Sequence, residues 1–340
     1  MAQEILNLLS EDTFDSIMAT RQQHLEAIKD KLADNSPYEY MTVDEYNEAT
    51  HTAGKLYWVT DDDGKWGVYK GDDFVNGEGE DISFSVDPIL DNNTPDKIAE
   101  AARRGIAKNI WSVGDKVGID LNGTVGSLAI NGKYYAFILG FDHNASIEGM
   151  NTIHFQFGKT SDGAKTIAFV DSAYLKNTSS NSFIMNTSNT SGGGWASSRM
   201  RTTLMPQFKA AMPSEWRDII SPCTKYSDNA GGGVDQAINV TSTTDDIFLL
   251  AEYEVHGVRT YANSKEKDYQ QQYSYYANGN STIFYKYNDT STACIWWLRS
   301  VNTNNTRSFC NVNVGGSANI GSADYSIGFV PAFMVGGNAA

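Results

Sequence analysis

The segment that most limits how this chain can fold lies near its end. Ile295-Trp296-Trp297-Leu298-Arg299-Ser300 opens it, Gly328-Phe329-Val330-Pro331-Ala332-Phe333 closes it, and between them nearly every side chain is small, polar and uncharged. A large apolar side chain gains about 1.5–3 kcal/mol when fully buried, so both ends are bound for a core. Small polar side chains gain nothing comparable, so the middle is bound for the surface. A fixed apolar frame around a displayed polar filling is how a rigid scaffold carries a binding surface. Exposed substitutions on such a surface change stability by only about ±0.5 kcal/mol.

The remainder reads as short strands and turns, preceded by smaller pieces. Charged residues make up 20% of the 340, while thirty Gly and eighteen Tyr favour turns and strands. Residues 1–36 are expected to be helical. Phe14, Met18, Arg21, Leu25, Ile28 and Leu32 form a seam spaced 4, 3, 4, 3, 4, which suits either an oligomerising stalk or an amphipathic helix on its own domain. Residues 37–90 read as a small β module and linker: a short helix or turn near Met41, a strand through Leu56-Tyr57-Trp58-Val59-Thr60, an acidic turn, and a return strand from Trp66. The acidic turn fails a calcium-loop pattern, since Val59 and Lys70 stand where carboxylates are needed. Thr94-Pro95-Asp96 starts a helix that ends at Arg103-Arg104-Gly105. Residues 91–340 are expected to form one β-rich domain, with strands at 116–119, 126–130, 134–139, 153–157 and 166–170. A strongly apolar strand is expected over 246–254, with Glu252 and Glu254 on one face. Met200, Leu204, Phe208 and Ala211 have helical spacing.

Five stretches of this domain stand in a telling order: Trp111-Ser112-Val113-Gly114-Asp115, Ile138-Leu139-Gly140-Phe141-Asp142-His143-Asn144, Phe248-Leu249-Leu250-Ala251-Glu252-Tyr253-Glu254-Val255-His256-Gly257, and the two halves of the frame. Together they resemble C-type-lectin-fold proteins of the formylglycine-generating-enzyme-like branch. More narrowly they resemble the variable proteins that diversity-generating retroelements diversify in gut phages and bacteria. The resemblance covers roughly residues 109–336. It implies an α+β fold, a C-type lectin head rich in strands with some helices, behind the N-terminal helix and β-hairpin module. It also implies a variable region at about residues 295–333, copied by a reverse transcriptase that errs at template adenines. Asn codons are adenine-rich, so the remaining Asn would be unmutated positions, and Arg307, Ile320, Tyr325, Ile327 and Phe329 look like substituted ones. Phe329-Val330-Pro331 departs from the Val-Arg-Pro common in the family. The Leu56–Asp61 and Tyr69–Asp72 pair resembles a hairpin of phage tail-fibre and baseplate proteins, which implies an attachment module.

The expected ligand-binding surface comprises Asn302, Asn304, Asn305, Arg307, Asn311, Asn313, Ser317, Asn319, Ile320, Ser322, Asp324, Tyr325, Ile327 and Phe329. Tyr269, Tyr273, Tyr275 and Tyr276 either flank that face or build a structural loop. The implied function is receptor binding by a phage or prophage protein without catalysis. Its partners would be a bacterial surface protein or glycan, tail or baseplate proteins, and further copies of the chain, with a trimer favoured. A non-diversified adhesin or fibre protein is the alternative, and an oxidase of the formylglycine-generating type a third reading.

The remaining chemistry is mostly negative. His24, His51, His143, His154 and His256 show no metal-ligand spacing, and no hydrolase, phosphate-loop or dinucleotide motif occurs, so no metal or cofactor is expected. Asp142-His143 reads as a strand end rather than a catalytic pair. Cys223, Cys294 and Cys310 are too few for a disulfide framework and read as buried small hydrophobes; whether Cys294 and Cys310 pair stays open. A net charge of −15 argues against nucleic acid. With no apolar run long enough to span a bilayer and no signal-peptide pattern at Met1, synthesis in the cytoplasm is expected. Residence would then be in a virion tail or at a cell surface, reached by another route.

Overall fold

The computed structural model describes residues 38–52, 55–61, 65–70, 73–77, 86–176 and 182–337. The expected helix over residues 1–36 lies outside the described residues. The chain divides into two compact units, Met1–Ser85 and Val86–Ala340.

The first unit contains β1 (Tyr38–Thr42), α1 (Val43–Glu48), β2 (Leu56–Thr60), β3 (Trp66–Lys70) and β4 (Asp73–Gly77). They form one sheet in the order β1-β2-β3-β4, parallel between β1 and β2 and antiparallel elsewhere. A reciprocal cap starts α1: Glu45 N donates to Thr42 Oγ1 at 3.2 Å, and Thr42 N donates to Glu45 Oε2 at 2.8 Å. Period-two alternation along β2 buries Tyr57 and Val59, which share a small core with Tyr46 and Tyr69. In the acidic turn, Asp61 Oδ1 accepts from Lys65 N at 2.8 Å, so its carboxylate closes the hairpin.

The second unit is α+β and rich in strands. Its strands are β5 (Lys116–Val125), β6 (Leu128–Phe141), β7 (Thr152–Lys159), β8 (Ile167–Ala168), β9 (Ile220–Ser221), β10 (Cys223–Asp228), β11 (Val240–Asp245), β12 (Ile247–Phe248), β13 (Phe284–Lys286), β14 (Asp289–Cys294), β15 (Trp296–Val301), β16 (Ser308–Val312), β17 (Ala318–Ser322) and β18 (Ala332–Gly336). Five helices matter below: α2 (Pro95–Arg103), α3 (Ala145–Glu148), α4 (Met205–Ala211), α5 (Glu252–His256) and α6 (Ser274–Ala277). The main sheet runs β12-β18-β7-β6-β5, with β9 also on β18; smaller sheets are β10-β11, β14-β13-β8 and β15-β16-β17. Thr94 caps α2 by accepting from Lys97 N, and Pro95 occupies its first turn.

Two expectations need correcting. The three strands anticipated before residue 140 are two long ones, because Asn122, Gly123, Asn131 and Gly132 sit inside the β5–β6 ladder rather than in turns. Gly123 is required there by closeness: a Cβ would lie 2.8 Å from that of Ala211 on α4. The anticipated strand over 246–254 is only β12, followed by α5. Glu254 Oε2 accepts from Ala251 N at 2.9 Å to start that helix, and Gly257 at φ +67° ends it.

The core is aromatic. Phe155 stacks on Phe333 at 5.2 Å, Phe157 meets Phe208 edge-on at 4.9 Å, and Phe183 meets Phe329 at 4.4 Å. β7, α4 and the segment leading into β18 thus share one aromatic core.

Candidate functional site

Every residue of β15 is buried. Both indoles are satisfied: Trp296 Nε1 donates to Thr282 O at 3.1 Å, and Trp297 Nε1 donates to Phe183 O at 2.9 Å. The closing half of the frame is bonded to the opening half, with Trp297 N donating to Gly328 O and Gly328 N donating to Ile295 O, both at 2.9 Å. A Cβ on Gly328 would stand 3.0 Å from Ile295 O and from Ala168 Cβ. The absence of a side chain there lets the two halves close.

Within this frame Asn304, Arg307, Ser317 and Tyr325 are exposed, and Asn305, Asn313, Asn319, Ile320, Ser322 and Asp324 are half-buried. Four expected surface residues are not displayed. Asn302, Asn311, Ile327 and Phe329 are at most 3% exposed. Phe329 belongs to the aromatic core, against Phe169, Phe183 and Phe208. Ile327 approaches the same wall, donating its N–H to Phe183 O. Asn311 lies on the middle strand β16 opposite Asn319, with Gly321 beside its amide. Asn302 turns inward to accept from Asn304 N at 3.0 Å.

The displayed positions fall into two groups. Ser308 pairs with Ser322, and Val312 pairs with Ala318. Asn304, Asn305, Arg307, Ser322, Asp324 and Tyr325 therefore gather at one end of β16, while Asn313, Ser317 and Asn319 lie at the other. A five-residue strand separates the ends by roughly 15 Å. Several Asn side chains also build the turns. Asn305 Oδ1 accepts from Arg307 N at 2.9 Å, and Asn313 Oδ1 accepts from Gly315 N at 2.9 Å and Ser317 N at 3.0 Å.

Beneath this sheet lies a buried charge network that the sequence reading missed. Arg299 of β15 holds Glu254 of α5 with two bonds, Nη1 to Oε2 at 2.5 Å and Nη2 to Oε1 at 2.7 Å. Lys225 of β10 donates to Glu148 Oε2 at 2.7 Å and to the Tyr273 hydroxyl at 2.8 Å, and lies 3.4 Å from Glu254 Oε1. Burial pushes the Glu254 carboxyl up, but the Arg299 and Lys225 charges outweigh it and hold it at about 2. Burial likewise opposes ionisation of Glu148, and Lys225 beside it prevails, holding the carboxyl low. Burial keeps His154 neutral, well below the usual imidazole range. The one signal available in the sequence was Arg299 itself, a cation inside an otherwise apolar strand.

His143, Glu148 and His154 bring ligand atoms within 4.8 Å of one another, a metal-like grouping. His143 Nε2 donates to Gln271 O at 2.9 Å, and its Nδ1 lies 3.1 Å from Glu148 Oε2. That same carboxylate oxygen is already met by the Lys225 ammonium. A divalent cation there would face a fixed positive charge in a buried, weakly screening setting, so the trio reads as part of the ion network. His143 therefore contacts both backbone and a buried carboxylate. Cys223, Cys294 and Cys310 are free and buried. Burial pushes the Cys294 thiol to about 12 and Cys310 well above its usual value, which suppresses the reactive thiolate. Tyr273, Tyr275 and Tyr276 are buried, and Tyr269 is exposed and stacked on Tyr226 at 4.4 Å.

No curated protein and no solved structure matches the chain. Residues 171–337, which hold β15 to β18 and Lys225, Glu254 and Arg299 of the network, match the family model described as "Domain of unknown function (DUF6273)".

Proposed function

We propose that the chain is a non-catalytic receptor-binding protein of a phage or prophage. In this reading the second unit is a C-type-lectin-fold head of the formylglycine-generating-enzyme-like branch. Its C-terminal surface is diversified by a retroelement and engages a bacterial surface protein or glycan. The first unit attaches the head to tail or baseplate proteins and joins copies, a trimer being favoured, so the protein works in the virion.

The observation that carries this reading is the closed frame. β15 is wholly buried and bonded to Gly328, yet Asn304, Arg307 and Tyr325 between the two halves face solvent. Side chains can be exchanged there without loss of core contacts. The test is binding of labelled protein to a panel of bacterial cells. Arg307→Ala and Tyr325→Ala are expected to weaken binding at least about tenfold, as truncations at an interface centre do, with the melting temperature unchanged. A lower melting temperature with unaltered binding overturns the assignment.

The turn-forming roles of Asn302, Asn305 and Asn313 favour a second reading, a non-diversified adhesin or fibre protein, because they explain the asparagines without a template. Flanking DNA separates the two. A reverse-transcriptase gene beside a near-copy of the codons for residues 295–333, differing at adenines, supports diversification; their absence supports the adhesin.

A further inference from the structure

We propose that the ligand is a protein surface, and that fixed loops outside the C-terminal segment grip it together with the turn at residues 302–307. The inference rests on the receptor-binding reading and names the class of partner.

Three loops are tied to that turn. Ser191 N donates to Thr306 O at 2.8 Å. Arg259 Nη2 donates to Thr303 Oγ1 and to Asp235 Oδ2, each at 3.1 Å, and Thr303 N donates to Tyr261 O at 3.0 Å. Gly233, at φ +72°, comes so close to the turn that a Cβ would lie 2.8 Å from the Asn305 carbonyl carbon. Loops 186–193, 230–239 and 257–264 therefore form a crown around Asn304, Asn305 and Arg307.

The crown presents branched aliphatic side chains to solvent: Ile238 is 83% exposed, Val258 61% and Val234 44%. It is also nearly free of net charge. The three loops and the turn carry only Asp235, Arg259 and Arg307. Asp235 and Arg259 neutralise each other, and Arg307 makes no ion pair among the described residues. This is the composition of a protein-interface centre, where charge is depleted and Arg and Tyr dominate the energy. A hydroxyl-rich glycan would leave the exposed side chains of Ile238, Val258 and Val234 without apolar partners. An anionic polymer would be repelled by the chain's −15 charge. The partner that fits presents an apolar patch to Ile238 and Val258 and a carboxylate to Arg307.

The experiment uses the full-length protein, labelled, on the cell panel above. The double variant Ile238→Ser/Val258→Ser is compared with wild type and with Arg307→Ala, and the cells are pretreated with protease or with periodate. The expected result is at least tenfold weaker binding by the double variant at an unchanged melting temperature, with binding lost after protease and kept after periodate. Wild-type-like binding by the double variant, or loss with periodate but not protease, overturns the inference; the latter result identifies a glycan. If Arg307→Ala weakens binding while the double variant does not, only this inference fails. If Arg307→Ala is also silent, or wild type binds no cell, the receptor-binding reading fails with it.

Discussion

Glu266 shows how a single buried group governs the response to pH. It is 1% exposed; its Oε1 accepts from Asp228 N at 2.9 Å, and its Oε2 accepts from Ser300 Oγ at 2.6 Å and Gln270 Nε2 at 3.2 Å. Burial outweighs these bonds and pushes the carboxyl up to about 7. Between the usual carboxylate value and 7, the folded chain therefore holds a proton that the unfolded chain has released. Glu266 makes stability fall as pH rises through that window, by roughly 3 kcal/mol in full. His154 and His256 are held low by burial and act with the opposite sign below the usual imidazole value. The readout is therefore the difference between wild type and Glu266→Gln in denaturant titrations from pH 5 to 8. The variant should gain stability relative to wild type as pH rises, and parallel pH profiles would show that Glu266 does not titrate there. No sequence rule marks Glu266. It sits in a polar stretch, and its burial is fixed by Ser300 and Asp228, which are distant in the chain. Asn305 and Asn313 were legible only in part. Their small polar side chains pointed to a displayed surface, whereas their carboxamides also fold the turns they occupy.

The strand β15 was legible as buried from its two tryptophans, but not for what holds it to its neighbours. An arginine in an apolar strand suggests a partner without naming one, and the apolar run Phe248-Leu249-Leu250-Ala251 predicts a strand that carries on through Glu254. The helix start that overrides that run depends on Glu254 reaching back to Ala251 N. Arg299 then links β15 to α5 and, through Leu249 O at 2.8 Å, to the segment just before that helix. Removing one partner of a fully buried pair leaves an uncompensated charge, which costs about 3–5 kcal/mol. Arg299→Met should therefore lower stability by that order in chemical denaturation. Arg299→Met/Glu254→Leu should recover much of the loss, since the second change removes the stranded carboxylate. If the double variant is as unstable as the sum of the singles, the pair is not the link between β15 and α5.

At the scale of the whole chain, charge and segmentation act together. The division at Ser85 and Val86 falls in the stretch the sequence marked as linker between the small β module and the β-rich domain. The second unit contains the aromatic core, the ion network and the frame. A fragment of residues 86–340 is expected to unfold cooperatively at the temperature of the full chain's main transition, and to keep the per-site affinity for its ligand. Avidity should differ. If the seam from Phe14 to Leu32 joins copies, the full chain gains an effective local concentration that can raise apparent affinity about 10²–10⁴-fold over one site. Sedimentation and cell binding measured side by side decide this. Oligomeric full-length protein with a long dwell on cells, against a monomeric fragment with fast release, assigns multivalency to the N-terminal residues. An equal number of copies per particle and equal dwell for both would remove the stalk from the account while leaving the face at the tip of β16 untouched.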